Sequence, residues 1–214
     1  MLVNSLHKFN FIHIPKNAGR SVRAILSYLK MNHEFGGTHF PLHEALEESI
    51  FNATDFYSFT FVRNPWDRAL SLFHFYKAKR HTYIRLPPKQ DFNEWAIDTF
   101  DTTNPDRGSI LRNSWNPGSK YGTTFTEDQF DQSHYIHNDI NYIGRVETFV
   151  DDMINIGNEL DIIGRQDKGK IDIRKIRTVR ENTTKHKSYH QVYSKEARDV
   201  VTDFFQRDIE RFGY

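Results

Sequence analysis

Twice in its first third, the chain places an apolar, β-like run directly before a short turn and a helical pattern. The first run, Asn10–Ile14, is followed from Ser21 to Met31 by apolar side chains at three- and four-residue spacing. The second run, Phe56–Val62, is typical of a buried strand, and Asn64 and Pro65 after it are typical of a helix start. Strands that lead straight into helices predict βαβ units, in which helices cover a parallel sheet.

The rest of the chain predicts further elements of the same kind. A third strand is predicted at 142–144, and the clearest helix extends from Ser194, as its cap, to Phe212, with Gly213 ending it. With 214 residues and no internal repeat, we expect one domain over residues 1–214. The other predicted helices cover residues 41–50, 65–79, 91–100 and 147–160, and a long loop is predicted over 101–124.

The composition excludes several classes of protein. Lys and Arg total 29 against 28 Asp and Glu, a balance that argues against a nucleic-acid partner. The absence of cysteine excludes disulfides, thiolate metal sites and cysteine nucleophiles. Apolar runs are far shorter than the roughly 18 residues of a membrane span, and the N-terminus lacks the apolar region of a signal peptide. We therefore expect a soluble, cytoplasmic protein without a transmembrane segment.

The turn at 15–21 has the residues of an anion site. It joins a strand to a helix start, where free N–H groups and the helix dipole favour negative charge. Ala18 and Gly19 allow the backbone close to an anion, Lys16 adds a full charge, and Ser21 adds a hydroxyl. An NTPase phosphate loop needs a glycine where Ile14 stands, so this loop is a shorter one. The alternative is an ordinary strand–helix turn with a surface lysine.

The turn after the second strand carries a second cation. Arg63 ends this strand, and an arginine is costly in a buried turn unless an anion meets it. Ser71 follows about two helical turns later and reaches the same pocket if the two helices pack together. Asp67 and Arg68 are interpreted as a solvated pair with structural roles. In a parallel sheet both turns lie at the carboxyl edge, where ligands bind.

Two segments of the sequence resemble a known family when they are taken together. Phe11–Ser21 resembles the 5′-phosphosulfate loop of the sulfotransferases, and Phe61–Ser71 resembles their 3′-phosphate motif. The resemblance is to the carbohydrate group, which includes heparan sulfate 2-O- and chondroitin-type enzymes and small bacterial relatives. Ile143–Glu147 and Arg207–Tyr214 also resemble that group, whereas residues 80–135 resemble it weakly. It implies a P-loop-NTPase-like three-layer α/β fold with a central parallel sheet flanked by helices.

The resemblance also implies a donor, 3′-phosphoadenosine 5′-phosphosulfate, and an acceptor hydroxyl on a carbohydrate or glycoconjugate. Lys16 and the backbone of residues 17–21 would bind the 5′-phosphosulfate, and no metal would be required. Arg63 and Ser71 would bind the 3′-phosphate. Asn17 and Arg20 stand where the family usually has Thr or another small residue. Asn17 can still donate a hydrogen bond, and Arg20 is either a ligand or turned to solvent. The implied donor-binding residues in these two motifs are Lys16, Asn17, Ala18, Gly19, Arg20, Ser21, Arg63 and Ser71.

A base near neutral pH is most often a histidine, and the chain has 11 of them. Relatives of the 2-O type have their base in a stretch like the one around His39, so His39 is our candidate, with Lys16 stabilising charge. His43 is the alternative, and a solvated loop histidine is the non-catalytic interpretation of His39. His13 lies within a predicted strand and is interpreted as structural.

Residues 164–190 form a basic segment, with nine Lys and Arg against three Asp and Glu. Arg180 and Lys185, just before the last helix, are candidates for donor binding. The alternative is a solvated loop, as charge runs usually are.

Two other functions are compatible with the pattern. A nucleotide or metabolite kinase is disfavoured because the Walker spacing fails and no Asp ends the second strand. A non-catalytic glycan- or nucleotide-binding protein would keep the loops and leave the base idle. The sequence specifies neither the acceptor nor the oligomeric state.

Overall fold

The computed structural model describes residues 1–30, 32–34, 41, 55–78, 91–104, 130–136, 138, 140–165, 169–179 and 187–214. The chain divides into two compact units: Met1–Arg63 with Gln132–Thr183, and Asn64–Asp131 with Thr184–Tyr214. The expectation of one domain over the whole chain stays a prediction.

The first unit contains a five-stranded sheet in the order β3-β1-β2-β4-β5. β2, β4 and β5 pair in parallel, whereas β1 is antiparallel to both of its neighbours, β2 and β3. Four of the five strands therefore have the same direction. The strands are β1 Leu2–Asn4, β2 Phe9–Ile12, β3 Asn32–Glu34, β4 Tyr57–Val62 and β5 Tyr142–Arg145.

Seven α-helices lie in the described part of the chain. None of them is both long and apolar enough to cross a membrane. They are α1 Gly19–Leu26, α2 Pro65–Ala78, α3 Phe92–Phe100, α4 Phe149–Glu159, α5 Ile173–Thr178, α6 Lys195–Phe204 and α7 Gln206–Phe212.

The core of the first unit forms where alternating strand residues meet helices α1, α4 and α5. Phe9 and Phe11 on β2 and Phe59 and Phe61 on β4 lie in this core, because residues two apart share a face of a strand. The helices contribute apolar side chains that are also buried there. These are Val22, Ile25 and Leu26 from α1, Phe149, Met153 and Ile156 from α4, and Ile176 from α5.

The second unit has its own aromatic core, built from helices α2, α3, α6 and α7. Trp95 and Phe100 of α3 lie edge to face, 5.5 Å apart. Arg68 of α2 is buried in this unit, where it donates a hydrogen bond to the Phe130 carbonyl and lies over the Phe205 ring. The interpretation of Arg68 as a solvated residue is therefore wrong.

The predicted last helix, 194–212, is two helices. Ser194 caps α6 by accepting a hydrogen bond from the Ala197 N–H, and Gly213 ends α7 with left-handed φ and ψ, as predicted. The break falls at Phe205, where both neighbouring phenylalanines contact the Phe100 ring, at 5.1 Å for Phe204 and 5.3 Å for Phe205. Consecutive residues of a straight helix do not face the same way, so the break lets both rings reach this core.

The first helix also differs from the prediction, because it ends at Leu26 and not at Met31. The Asn32 side-chain amide donates hydrogen bonds to the Leu26 and Leu29 carbonyls, at 2.7 and 3.1 Å. These bonds satisfy carbonyls that the end of a helix leaves open. The predicted helix at 41–50 lies outside the described residues apart from Pro41, and so does most of the loop at 101–124.

The predicted α/β class is confirmed, with a mostly parallel sheet and flanking helices. The antiparallel strand β1 was not predicted, because three residues are too few to show an alternating pattern.

Candidate functional site

The parallel strands β2, β4 and β5 bring three strand-to-helix turns to one edge of the sheet. Ile12 lies opposite Thr60, and Val62 lies opposite Arg145, so the three strands end close to one another. The turn after β2 carries Lys16 and the turn after β4 begins with Arg63. This edge therefore has cations from separate segments of the chain.

The turn after β2 has an unusual backbone. Lys16 has a φ of 69° and Ala18 has a φ of 57°, and both values lie in the left-handed region. Each such conformation costs an L-residue with a side chain roughly 1–2 kcal/mol. The Asn17 N–H between them donates to the Ile14 carbonyl at 3.3 Å. Strain of this kind is concentrated at ligand-binding and active sites.

Helix α1 begins in this turn without a side chain to cap it. Ala18 is the N-cap residue, no side-chain cap bond forms among the described residues, and the first turn contains no acidic residue. The first N–H groups of a helix have no partners within the helix, and its dipole is positive at this end. Arg20, the second residue of α1, is exposed. The start of α1 therefore presents the positive end of its dipole with neither a side-chain cap nor an acid in its first turn.

Gly19, the first residue of α1, lies against the imidazole of His13. A Cβ atom at residue 19 would overlap that ring. The His13 ring is buried and also stacks on Phe11, with 5.8 Å between the ring centroids. His13 follows the end of β2 and is not part of the strand as predicted; its ring is buried, and its close approach requires glycine at residue 19.

Arg63 is linked to the first turn. It is half-buried, and its Nη1 donates a hydrogen bond to the Lys16 carbonyl at 3.2 Å. The Lys16 carbonyl belongs to one of the two left-handed residues, so this bond helps to hold the strained turn. The arginine predicted for the second turn therefore also supports the first.

A buried glutamine joins the same two turns. Gln132 accepts hydrogen bonds at Oε1 from Asn17 Nδ2, at 2.6 Å, and from the Arg63 N–H, at 2.8 Å. Its Nε2 donates to the Arg63 carbonyl at 2.9 Å. The same Asn17 amide group donates to the Phe61 carbonyl at 2.8 Å. Sequence analysis did not find Gln132, since a single glutamine in a weakly matching region gives no local signal.

The helix starts that follow β4 and β5 in the chain have their own polar groups. Asn64 accepts a hydrogen bond at Oδ1 from the Asp67 N–H at the start of α2. After β5, the Asp152 carboxylate accepts from the Arg145 N–H, from Thr148 and from the Tyr142 hydroxyl. Burial raises the pKa of Tyr142, which keeps this hydroxyl protonated as a donor. Of the three starts, that of α1 is the one with neither a side-chain cap nor an acid in its first turn.

Five further residues were predicted for the site. Ser71 is buried in α2 of the second unit. His39, His43, Arg180 and Lys185 lie outside the described residues. The described part of the chain contains no group of three or more His, Cys, Asp or Glu side chains that could hold a metal ion.

Part of the basic segment is neutralised by its own acids or by a neighbouring acid. Lys170 pairs with Asp161 at 2.7 Å, and Arg174 pairs with Asp172. The hydrogen bonds from Arg174 lower the pKa of Asp172 to about 2. Among the cations of this segment that the structure describes, Lys170 and Arg174 are thus engaged in local pairs.

The sequence model of a protein family described as "Sulfotransferase family" matches residues 1–214, which is the whole chain. Neither the curated proteins nor the solved structures gave a match.

Proposed function

The chain belongs to the sulfotransferase family, and from this premise we propose that it transfers a sulfuryl group from 3′-phosphoadenosine 5′-phosphosulfate to a hydroxyl group. Membership of the family implies a transferase that acts on a hydroxyl-bearing acceptor. The choice of donor, and a carbohydrate or glycoconjugate as acceptor, are our proposals. So is a cytoplasmic location.

The observation that carries the proposal is the start of α1. The turn before this helix has two residues in the left-handed region, and the helix start has neither a side-chain cap nor an acid in its first turn. Two cations lie here, since the Arg63 side chain donates a hydrogen bond to the Lys16 carbonyl. A phosphosulfate group carries negative charge on several oxygens, and N–H groups at a helix start bind such oxygens. The site fits an anionic donor without requiring a metal.

In the proposed reaction the acceptor oxygen attacks the sulfur in line with the bond to the leaving phosphate. His39 takes the acceptor proton, with His43 as the alternative base. The S–O bond to the phosphate breaks, and its electron pair stays on the leaving adenosine 3′,5′-bisphosphate. Lys16 and the N–H groups of residues 17–21 stabilise the charge that grows on that oxygen.

Arg63 and Ser71 are proposed to bind the 3′-phosphate, the group that distinguishes this donor from ATP. Arg20, Arg180 and Lys185 are proposed as further contacts to the donor. The side chain of Asn17 already donates to two acceptors of the protein, so its proposed contribution to the donor is mainly the position of the turn.

Thermal unfolding with added nucleotide tests the donor, because a ligand that binds the native state raises the melting temperature. We expect adenosine 3′,5′-bisphosphate to stabilise the protein more than ADP does. Lys16→Ala and Arg63→Ala should each reduce that stabilisation, whereas Lys30→Ala, which removes an exposed lysine after α1, should not. Equal shifts for the two nucleotides, or a preference for ADP with Mg²⁺, would contradict the proposal and favour a kinase.

Turnover with labelled donor tests the base and, across a panel of hydroxylated acceptors, the substrate class. We expect His39→Ala to abolish transfer while leaving the binding of adenosine 3′,5′-bisphosphate close to that of the unchanged protein. His33→Ala, which removes an exposed histidine on β3, is the matched control. Unchanged turnover in His39→Ala would transfer the role of base to His43 or to another residue.

A further inference from the structure

We propose that Gln132 is a positioning residue that holds the two anion-binding turns in one fixed geometry. The proposal rests on the proposed function, since it concerns the donor site of that reaction. Gln132 begins the short 3-10 helix Gln132–Tyr135 and is fully buried. It follows a part of the chain in which the sequence shows no motif.

The contacts of Gln132 use both ends of its carboxamide. Oε1 receives two hydrogen bonds, one from the Asn17 side chain in the first turn and one from the Arg63 backbone in the second. Nε2 returns a bond to the carbonyl of Arg63. Both backbone polar groups of Arg63 are thus fixed by a single side chain that also holds Asn17.

The geometry requires an uncharged group that accepts and donates. An ionised glutamate accepts only, so at this position its second oxygen would face the Arg63 carbonyl. An apolar side chain would leave the Arg63 N–H and the Asn17 amide without this acceptor, and a buried polar group without a partner costs about 1–3 kcal/mol. Glutamine both accepts and donates at neutral pH, and it adds no negative charge next to the proposed anion site.

The same contacts join the two turns mechanically. The Arg63 side chain donates to the Lys16 carbonyl, while its backbone is held by Gln132, which also holds Asn17. Neither turn can therefore shift without breaking bonds to the other. Strained residues such as Lys16 keep their conformation only where the surroundings fix it. Loss of Gln132 should release both turns and misplace the groups that bind the donor.

Amide hydrogen exchange in the ligand-free protein tests the link between the turns. In Gln132→Ala we expect faster exchange at both Asn17 and Arg63 than in the unchanged protein. The affinity for adenosine 3′,5′-bisphosphate should fall by about tenfold or more, since a displaced turn loses at least one hydrogen bond to the charged ligand. Affinity is measured at a temperature where the variant is folded.

Gln132→Glu gives a second readout, which a purely structural role would not produce in the folded protein. Burial and the Arg63 carbonyl favour the protonated form of the introduced carboxyl group, whereas the N–H donors of Asn17 and Arg63 and the charges of Lys16 and Arg63 favour the carboxylate, and the balance between them sets its pKa. Below that pKa the carboxyl group is protonated and can donate to the Arg63 carbonyl. The variant should then bind adenosine 3′,5′-bisphosphate with nearly the affinity of the unchanged protein. As the pH rises and the carboxylate forms, the relative affinity should fall. This variant also serves if Gln132→Ala does not fold.

Asn4→Ala is the matched control. Asn4 is a fully buried amide in the same unit, and it bonds to the Lys30 carbonyl, the Asn32 side chain and the His7 N–H. We expect it to lower stability without weakening the binding of the bisphosphate. Unchanged exchange at Arg63 in Gln132→Ala, or an equal loss of affinity in Asn4→Ala, would overturn the role of Gln132. If the unchanged protein binds no bisphosphate, the proposed function fails, while exchange still decides whether Gln132 links the turns.

Discussion

The starts of helices α1 and α2 differ in whether a side chain caps the first N–H groups, which have no partners within a helix. At α2, Asn64 caps the helix through the Asp67 N–H, its carbonyl accepts from the Arg68 N–H, and Pro65 occupies the first position, which needs no N–H. At α1, Ala18 is in the cap position with a left-handed backbone and offers no cap. The start of α2 is capped by its own side chain, whereas the start of α1 has no side-chain cap.

The difference has consequences for the stability of the two helix starts. A capped start satisfies its N–H groups internally and gains about 1 kcal/mol, so little is left to bind an anion. An uncapped start with left-handed residues lowers the stability of the chain, and that cost persists where the site is useful. Substitutions at each start test this difference in stability.

Gly19→Ala should have the largest effect on stability. The added methyl group overlaps the buried His13 ring, and overpacking of a core typically costs about 1–3 kcal/mol. Urea unfolding should show this loss, together with weaker binding of adenosine 3′,5′-bisphosphate. In the background of His13→Ala the same substitution should cost much less, because the ring is gone. Additive losses in the double variant would mean that the ring does not impose the glycine.

Asn64→Ala should have an intermediate effect. It removes the cap of α2 and the hydrogen bond to the Tyr189 hydroxyl, so the free energy of unfolding should fall by about 1 kcal/mol. Asn64→Asp keeps an acceptor for the Asp67 N–H and is the control, with a smaller expected loss. Urea unfolding measures both variants. An equal loss in Asn64→Asp would show that the cap is not what stabilises this start.

The sequence predicted the segment from β4 to α2 well but did not indicate Gln132, and the reason is physical. The aromatic strand β4 and the Asn-Pro helix start after it have local signals, and both were predicted within a residue. Gln132 has none, because its partners lie far away in the chain, 115 residues for Asn17 and 69 for Arg63. The break in the last helix depends likewise on Phe100, about a hundred residues earlier, whose ring draws in both Phe204 and Phe205. Patterns within a segment predict the segment, whereas contacts between segments require the fold.

Ala18→Gly should have the smallest effect on stability. An increase would show that the backbone at Ala18 is strained, whereas a decrease would reflect the ordinary cost of glycine in a helix. Glycine enters the left-handed region without the penalty that alanine bears, so relief of strain at a φ of 57° should raise stability. The greater entropy of glycine in the unfolded chain offsets part of this gain, which leaves a net increase of up to about 1 kcal/mol.

The control for this prediction is Ala24→Gly, inside the same helix, where φ is not positive and glycine should cost about 1 kcal/mol. Thermal unfolding of the two variants should therefore shift in opposite directions. If both lower the melting temperature, the backbone at Ala18 is not strained. The α1 start would then differ from the α2 start in its missing cap and in having no acid in its first turn, and the stability lost at α1 would be about what those two groups supply.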